Sequence, residues 1–141
     1  MSFANPSRER IKEILTEAKT VAVVGLSDNP DRPSYEVSQA LKNKGYRIIP
    51  VNPRLDAILG ERCYRSLLDI PEPVDIVNVF RRSEEVVPFA EQAGKIGAKV
   101  FWLQLGIFNQ EAADIAQSFG LEVIMDRCIK VEDAILRIPR K

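Results

Sequence analysis

Four short stretches carry the residues that could do chemistry: Gly25-Leu-Ser27, Asn52-Pro-Arg54, Phe80-Arg-Arg82 and Gln104-Leu-Gly106, each following an apolar run and each offering a donor or a cation. Arg32 adds a further cation just before a helical pattern. The chain has 20 lysines and arginines against 20 aspartates and glutamates, so these cations are clustered locally in a neutral molecule. No global field draws it to nucleic acid or to an anionic membrane. The chemistry such a cluster suits is the holding of an anion. An arginine at a helix start opposes the helix dipole by about 0.3–1 kcal/mol, and a bound phosphate reverses that sign. Ser83-Glu84-Glu85, by contrast, is expected to supply an N-cap and two carboxylates to a later helix, whose positive end is thereby already compensated. A phosphate should therefore choose the first loop.

Several alternatives fall away on residue types. Histidine is absent, which removes serine–histidine and cysteine–histidine nucleophile pairs, histidine metal sites and phosphohistidine from this chain. The first loop has a single glycine rather than GxGxxG, and Asn52-Pro53-Arg54 lacks the carboxylate that would bind ribose hydroxyls. An arginine there suits a phosphorylated ribose. No GxxxxGK[ST] occurs, so nucleoside triphosphate hydrolysis is not expected. Cys63 and Cys128 lie far apart without CxxC spacing, which favours reduced thiols over a disulfide or a zinc site, and no metal is expected. Phe101 and Trp102 sit in a strand pattern and are read as core.

The elements that must position these residues alternate along the 141-residue chain. An amphipathic helix is expected over 7–19, then strands over 21–25, 46–51, 74–80, 99–103 and 121–125. Helices are expected over 35–44, closed by Gly45, and over 83–96 with Val86, Phe89, Ala90 and Ala93 inward. Another bears Ala112, Ile115, Ala116 and Phe119 and ends at Gly120, and a terminal one turns Val131, Ala134 and Ile135 inward. Residues 55–73 have no sustained period and read as an irregular connection. The pattern predicts an α/β fold, a single Rossmann-like doubly wound domain over 1–141, with a five-stranded parallel sheet in the order 3-2-1-4-5 and helices on both faces. Ligand then sits beyond the carboxyl ends, near the switch between strands one and four. No apolar run approaches the roughly 20 residues of a bilayer span, and the start lacks a signal peptide's apolar core, so a cytoplasmic protein with no membrane contact is expected.

Val-Gly-Leu-Ser-Asp-Asn-Pro-Asp-Arg-Pro-Ser-Tyr, Val-Asn-Pro, Val-Phe-Arg-Arg-Ser, Trp-Leu-Gln-Leu-Gly and Met-Asp-Arg-Cys occur in that order between about residues 14 and 131. Together they resemble the stand-alone CoA-binding proteins, a family similar to the N-terminal CoA-binding domain of the succinyl-CoA synthetase α subunit. The resemblance implies coenzyme A as the ligand. It implies that Gly25, Leu26, Ser27, Arg32, Ser34 and Tyr35 belong to a loop and helix start around the pyrophosphate. It places Asn52, Pro53 and Arg54 beside the adenosine and its 3′-phosphate, has Val79, Phe80 and Arg81 border the ligand, and sets Leu103, Gln104 and Leu105 near the pantetheine arm. The synthetase carries phosphate on a histidine in a second domain, and this chain has neither, so ligase activity of the chain alone is not expected.

The leading expectation is thus a module that binds CoA or an acyl-CoA without catalysis of its own, with a homodimer or an unidentified protein partner left open. Two others stand beside it: thiol or acyl exchange with CoA through Cys128 or Cys63, and a nicotinamide-nucleotide-binding regulatory domain on the same fold. Asp126-Arg127 beside Cys128 reads as a salt-bridged turn.

Overall fold

The computed structural model describes residues 3–141. Five parallel strands form its sheet: β1 (Thr20–Val24), β2 (Arg47–Val51), β3 (Ile76–Val79), β4 (Val100–Leu103) and β5 (Glu122–Ile124). Their residues are largely apolar because both faces are covered, with Asn78 the buried polar residue of β3. Helices α1 (Arg8–Glu17), α2 (Pro33–Lys44) and α5 (Ile129–Ile135) pack on one face, where Ile11, Ile14, Leu15, Val37, Leu41 and Ile129 meet Val21, Val23, Ile76, Trp102 and Ile124. Helices α3 (Val87–Lys95) and α4 (Gln110–Ser118) pack on the other through Ala90, Ala93, Ala112, Ala113 and Ala116, against Ala22, Val24, Val77, Val79, Phe101 and Leu103. No described helix is long and apolar enough to cross a membrane.

The Rossmann-like α/β class is as expected, but the strand order is β2-β1-β3-β4-β5. This corrects the expected 3-2-1-4-5. Pro50 gives the reason. Its carbonyl, facing away from β1, accepts the N–H of Tyr64 at 2.9 Å, and Asn52 N–H donates to Tyr64 O at 2.9 Å, which is the pairing along that outer side. A proline in that register cannot donate outward, so β2 suits the edge and a third full strand beyond it would lose a hydrogen bond. The chain returns past β1 instead, and β3 pairs with both β1 and β4. The reversal of winding therefore falls between β1 and β3, with β3 in the place beside β1 where the fourth strand was expected.

Two helices also depart from expectation. Ser83–Glu85 is a 3-10 turn, α3 begins only at Val87 with Pro88 in its first turn, and Val86 precedes it without a side-chain cap. Ser83 does not cap α3; its Oγ accepts the N–H of Phe108 at 3.1 Å, across the sheet edge. In α5 the expected inward face is inverted. Val131 and Ile135 are 47% and 51% exposed, whereas Glu132 and Asp133 are buried. Asp133 is held there by Lys44 and by the hydroxyl of Tyr46, which donates to its Oδ2 at 2.6 Å; Arg8 lies 3.9 Å from Glu132. Ion pairing and hydrogen bonding decide the rotation of this short helix, and periodicity alone could not show it. The stretch after β2 contains a small hairpin, Ala57–Ile58 with Glu61–Arg62, and a 3-10 turn at Leu67–Asp69.

Burial, and then the hydrogen bond and charge of Asp133, hold the Tyr46 hydroxyl well above the usual phenol range, so it remains a donor at physiological pH. Tyr46→Phe leaves the buried Asp133 with Lys44 alone. It should lower stability by about 2 kcal/mol, the cost of a lost hydrogen bond to a charged group, read as a lower denaturant midpoint at unchanged slope.

Candidate functional site

A groove of about 1110 Å3 lies over the carboxyl ends of β1, β3 and β4, between the start of α2 and the start of α5. Its floor depends on Gly25. This residue has φ +80°, its N–H donates to Val51 O at 3.0 Å, and a Cβ on it would stand 2.6 Å from the carbonyl oxygen of Phe80. Only glycine allows the exits of β1 and β3 to close together at this point.

The loop from 26 to 32 is braced by its own donors. Ser27 N–H donates to Ser34 Oγ, Asn29 N–H to Ser27 Oγ and Asp31 N–H to Asn29 Oδ1, each at 3.0 Å, and Arg32 N–H reaches Asn29 O at 3.0 Å. These four N–H groups are internally satisfied, and Arg32 is the cation of this wall. Arg32 is the N-cap of α2 with no side-chain capping bond, and Pro33 follows it. It has no ion pair among the described residues.

The remaining charges are arranged in pairs and singles. Arg81 is held by Glu85 at 2.6 Å, and that guanidinium, aided by Arg82, keeps the Glu85 carboxyl below its ordinary range. Lys130 of α5 pairs with Glu36 of α2 across the groove, which raises the lysine. Arg82 has no ion pair among the described residues. The lining thus holds four cations, Arg32, Arg81, Arg82 and Lys130, against the carboxylates Glu36 and Glu85. A chain without net charge has concentrated positive charge here.

Of the residues expected from sequence, the groove brings together Gly25, Ser27, Arg32, Ser34, Phe80, Arg81, Gln104 and Leu105. Leu26, Val79 and Leu103 are fully buried, with side chains in the core beneath it. Tyr35 is half-buried and packs on the α1 and α2 side. Asn52, Pro53 and Arg54 do not line the groove: they leave the edge strand β2, and the groove lies over β1, β3 and β4 on the other side of β1. Asn52 nonetheless ties the two exits, its Nδ2 donating to Leu26 O at 3.0 Å and its Oδ1 accepting Arg54 N–H at 2.9 Å.

The groove also takes Glu36 and Val37 from α2, Arg82 and Glu85 from the 3-10 turn, Ile107, and Cys128, Lys130 and Val131 from the start of α5. Arg82 and Cys128 were visible as residues of strand exits. Ile107 belongs to the loop between β4 and α4, and the others come from the 3-10 turn and from helix faces, whose placement depends on packing. Asp126 is not ion-paired with Arg127. It adopts φ 59°, and its Oδ1 accepts the N–H of Gly106 at 2.7 Å, joining the β5 exit to the β4 exit. Among the described residues no cluster of three or more histidine, cysteine or acidic side chains could hold a metal ion.

Gly25→Ala should cost at least about 2 kcal/mol, from a left-handed backbone that alanine disfavours by about 1–2 kcal/mol and from the approach to Phe80 O. Chemical denaturation measures this; an unchanged midpoint would contradict the close approach.

A family model described as "CoA binding domain" matches residues 19–134. The chain is 52% identical over 133 residues to YneT of Bacillus subtilis (strain 168), covering 94% of this chain and 98% of that protein. A solved structure from Pyrococcus horikoshii OT3 superposes with a TM-score of 0.91 at 38% identity, covering 97% of this chain and 99% of the other. An ADP-forming acetate–CoA ligase of Methanocaldococcus jannaschii is 27% identical over 121 residues, 80% of this chain. The chain spans only 17% of that ligase's length.

Proposed function

The chain belongs to the CoA-binding domain family, and from that premise we propose that its groove binds coenzyme A or an acyl-CoA, without turnover of its own. The observation that carries this reading is the concentration of cations at the switch point, with Arg32 and Arg82 free of ion pairs among the described residues. A ligand with a pyrophosphate supplies the missing negative charge. The ligase relatives act on CoA by name, and the shared segment supports the same ligand here. Catalysis by this chain finds little footing in the groove. Its carboxylates, Glu36 and Glu85, are each tied to a cation, and no histidine exists to serve as a general base.

Within this reading Arg32 contacts the pyrophosphate, Gln104 and Leu105 lie along the pantetheine arm, and Arg54, exposed on the turn tied to Leu26 through Asn52, meets the 3′-phosphate at the rim. Thermal shift tests this directly. CoA should raise the melting temperature, and dephospho-CoA should raise it less. Arg54→Ala should erase the difference between the two ligands. Arg32→Ala should weaken both, by about tenfold or more, the value of one charge-assisted hydrogen bond. The absence of any shift with CoA or acetyl-CoA would refute the proposal, and a larger shift with NADH would transfer the groove to a nicotinamide nucleotide.

A further inference from the structure

Cys128 occupies the groove in a manner that ligand binding alone does not use. Its half-buried thiol lines the wall at the start of α5, and the residues on either side of it are pinned by β4 and its exit. The indole N–H of Trp102 donates to the carbonyl of Arg127 at 2.9 Å, and Oε1 of Gln104 accepts the N–H of Ile129 at 3.3 Å. Gln104 is itself only 7% exposed. Its Oε1 takes a second bond from Asn78 Nδ2 at 3.4 Å, so the oxygen is turned inward. Because the Ile129 N–H demands an acceptor, the amide cannot be flipped. Its Nε2 has no hydrogen-bond partner among the described residues and is the polar atom that this buried side chain offers to the groove. An unpartnered amide donor and a thiol on the lining of one groove suit a ligand carrying amide carbonyls and a sulfur at one end, as the pantetheine arm does. Cys63 differs in every respect. It is buried away from the groove, burial pushes its thiol up, and its Sγ approaches Asn52 O at 3.5 Å.

We propose that Cys128 is a thiol–disulfide exchange site for CoA disulfide, with the groove delivering the pantetheine sulfur to Sγ. The proposal rests on the CoA reading above. The Cys128 thiolate attacks one sulfur of the CoA disulfide. A new S–S bond forms between Sγ and that sulfur, the original S–S bond breaks, and the second CoA leaves as its thiolate and takes up the proton that Cys128 gave. CoA disulfide is the oxidant: Cys128 is oxidised to a mixed disulfide and one CoA is reduced. The reaction is stoichiometric and is reversed by a reducing thiol.

The test treats reduced protein, freed of reductant, with CoA disulfide or with glutathione disulfide, and follows intact mass and the modified peptide. Wild type and Cys63→Ser should gain one CoA at Cys128, lost again with dithiothreitol, while Cys128→Ser and Cys128→Ala gain none there. Glutathione disulfide should react about tenfold more slowly, and Arg32→Ala should slow CoA transfer by about tenfold while leaving the glutathione rate unchanged, the loss of one charge-assisted contact. An adduct on Cys63, or equal rates with the two disulfides, overturns the proposal. So does the absence of an adduct when reduced CoA still binds Cys128→Ser by calorimetry, which leaves the binding reading intact. If neither adduct nor binding is found, the binding reading fails and this one with it.

Discussion

The close contact between the exits of β1 and β3 is the constraint on which the rest of the site depends. Gly25 reaches within a forbidden Cβ distance of the Phe80 carbonyl because the two strands are neighbours, and they are neighbours because β2, bearing Pro50, is confined to the edge. That single adjacency sets the loop carrying Arg32 beside the turn carrying Arg81 and Arg82. It also leaves the groove open toward β4 and β5, where Gln104 and Cys128 complete the lining. The chemistry of the groove follows from a backbone packing requirement at one glycine.

Charge is distributed on that frame in two ways. Arg81 and Lys130 are already engaged by Glu85 and Glu36, so an anion competing for either must displace an internal carboxylate. Arg32 and Arg82 ask for no such exchange. The groove therefore separates cations that brace its walls from cations available to a ligand. Arg32 sits where the positive end of α2 adds to its own charge, an unfavourable placement until negative charge arrives. The intervening loop, tied by Ser27, Asn29 and Ser34, keeps its shape without help from a ligand. Little ordering cost then remains for binding to overcome.

Strand positions were legible in the sequence because the strands are buried on both faces and read as largely apolar runs, as in Val21–Val24 and, but for Asn78, Ile76–Val79. Their order was less so, since pairing is a non-local property. The relevant sign was Pro50, a single residue inside the second strand whose missing donor argues for an edge. The groove residues that follow strands directly, such as Ser27, Arg81 and Gln104, could be found by topology. Glu36 and Lys130 could not, because their meeting depends on how α2 and α5 pack side by side. Periodicity misread α5 for a related reason: Asp133 and Glu132 face inward to meet Lys44, Tyr46 and Arg8, so Val131 and Ile135 face out.

The inverted face of α5 connects the fold to the groove. A seven-residue helix has little intrinsic stability, and it is fixed here at several points. Asp133 anchors it to α2 and the start of β2 through Lys44 and Tyr46, and the bonds from Trp102 and Gln104 fasten its first residues to β4. These ties span opposite ends of the groove wall, so Cys128 and Lys130 are held relative to the sheet rather than carried on a loose terminus. Buried polar contacts of this kind add modestly to stability, but each has a defined direction, and a hydrophobic face sliding on the sheet would not fix a thiol to one place. The polar interior of α5 thus accounts for how a short helix can carry groove residues at a defined position.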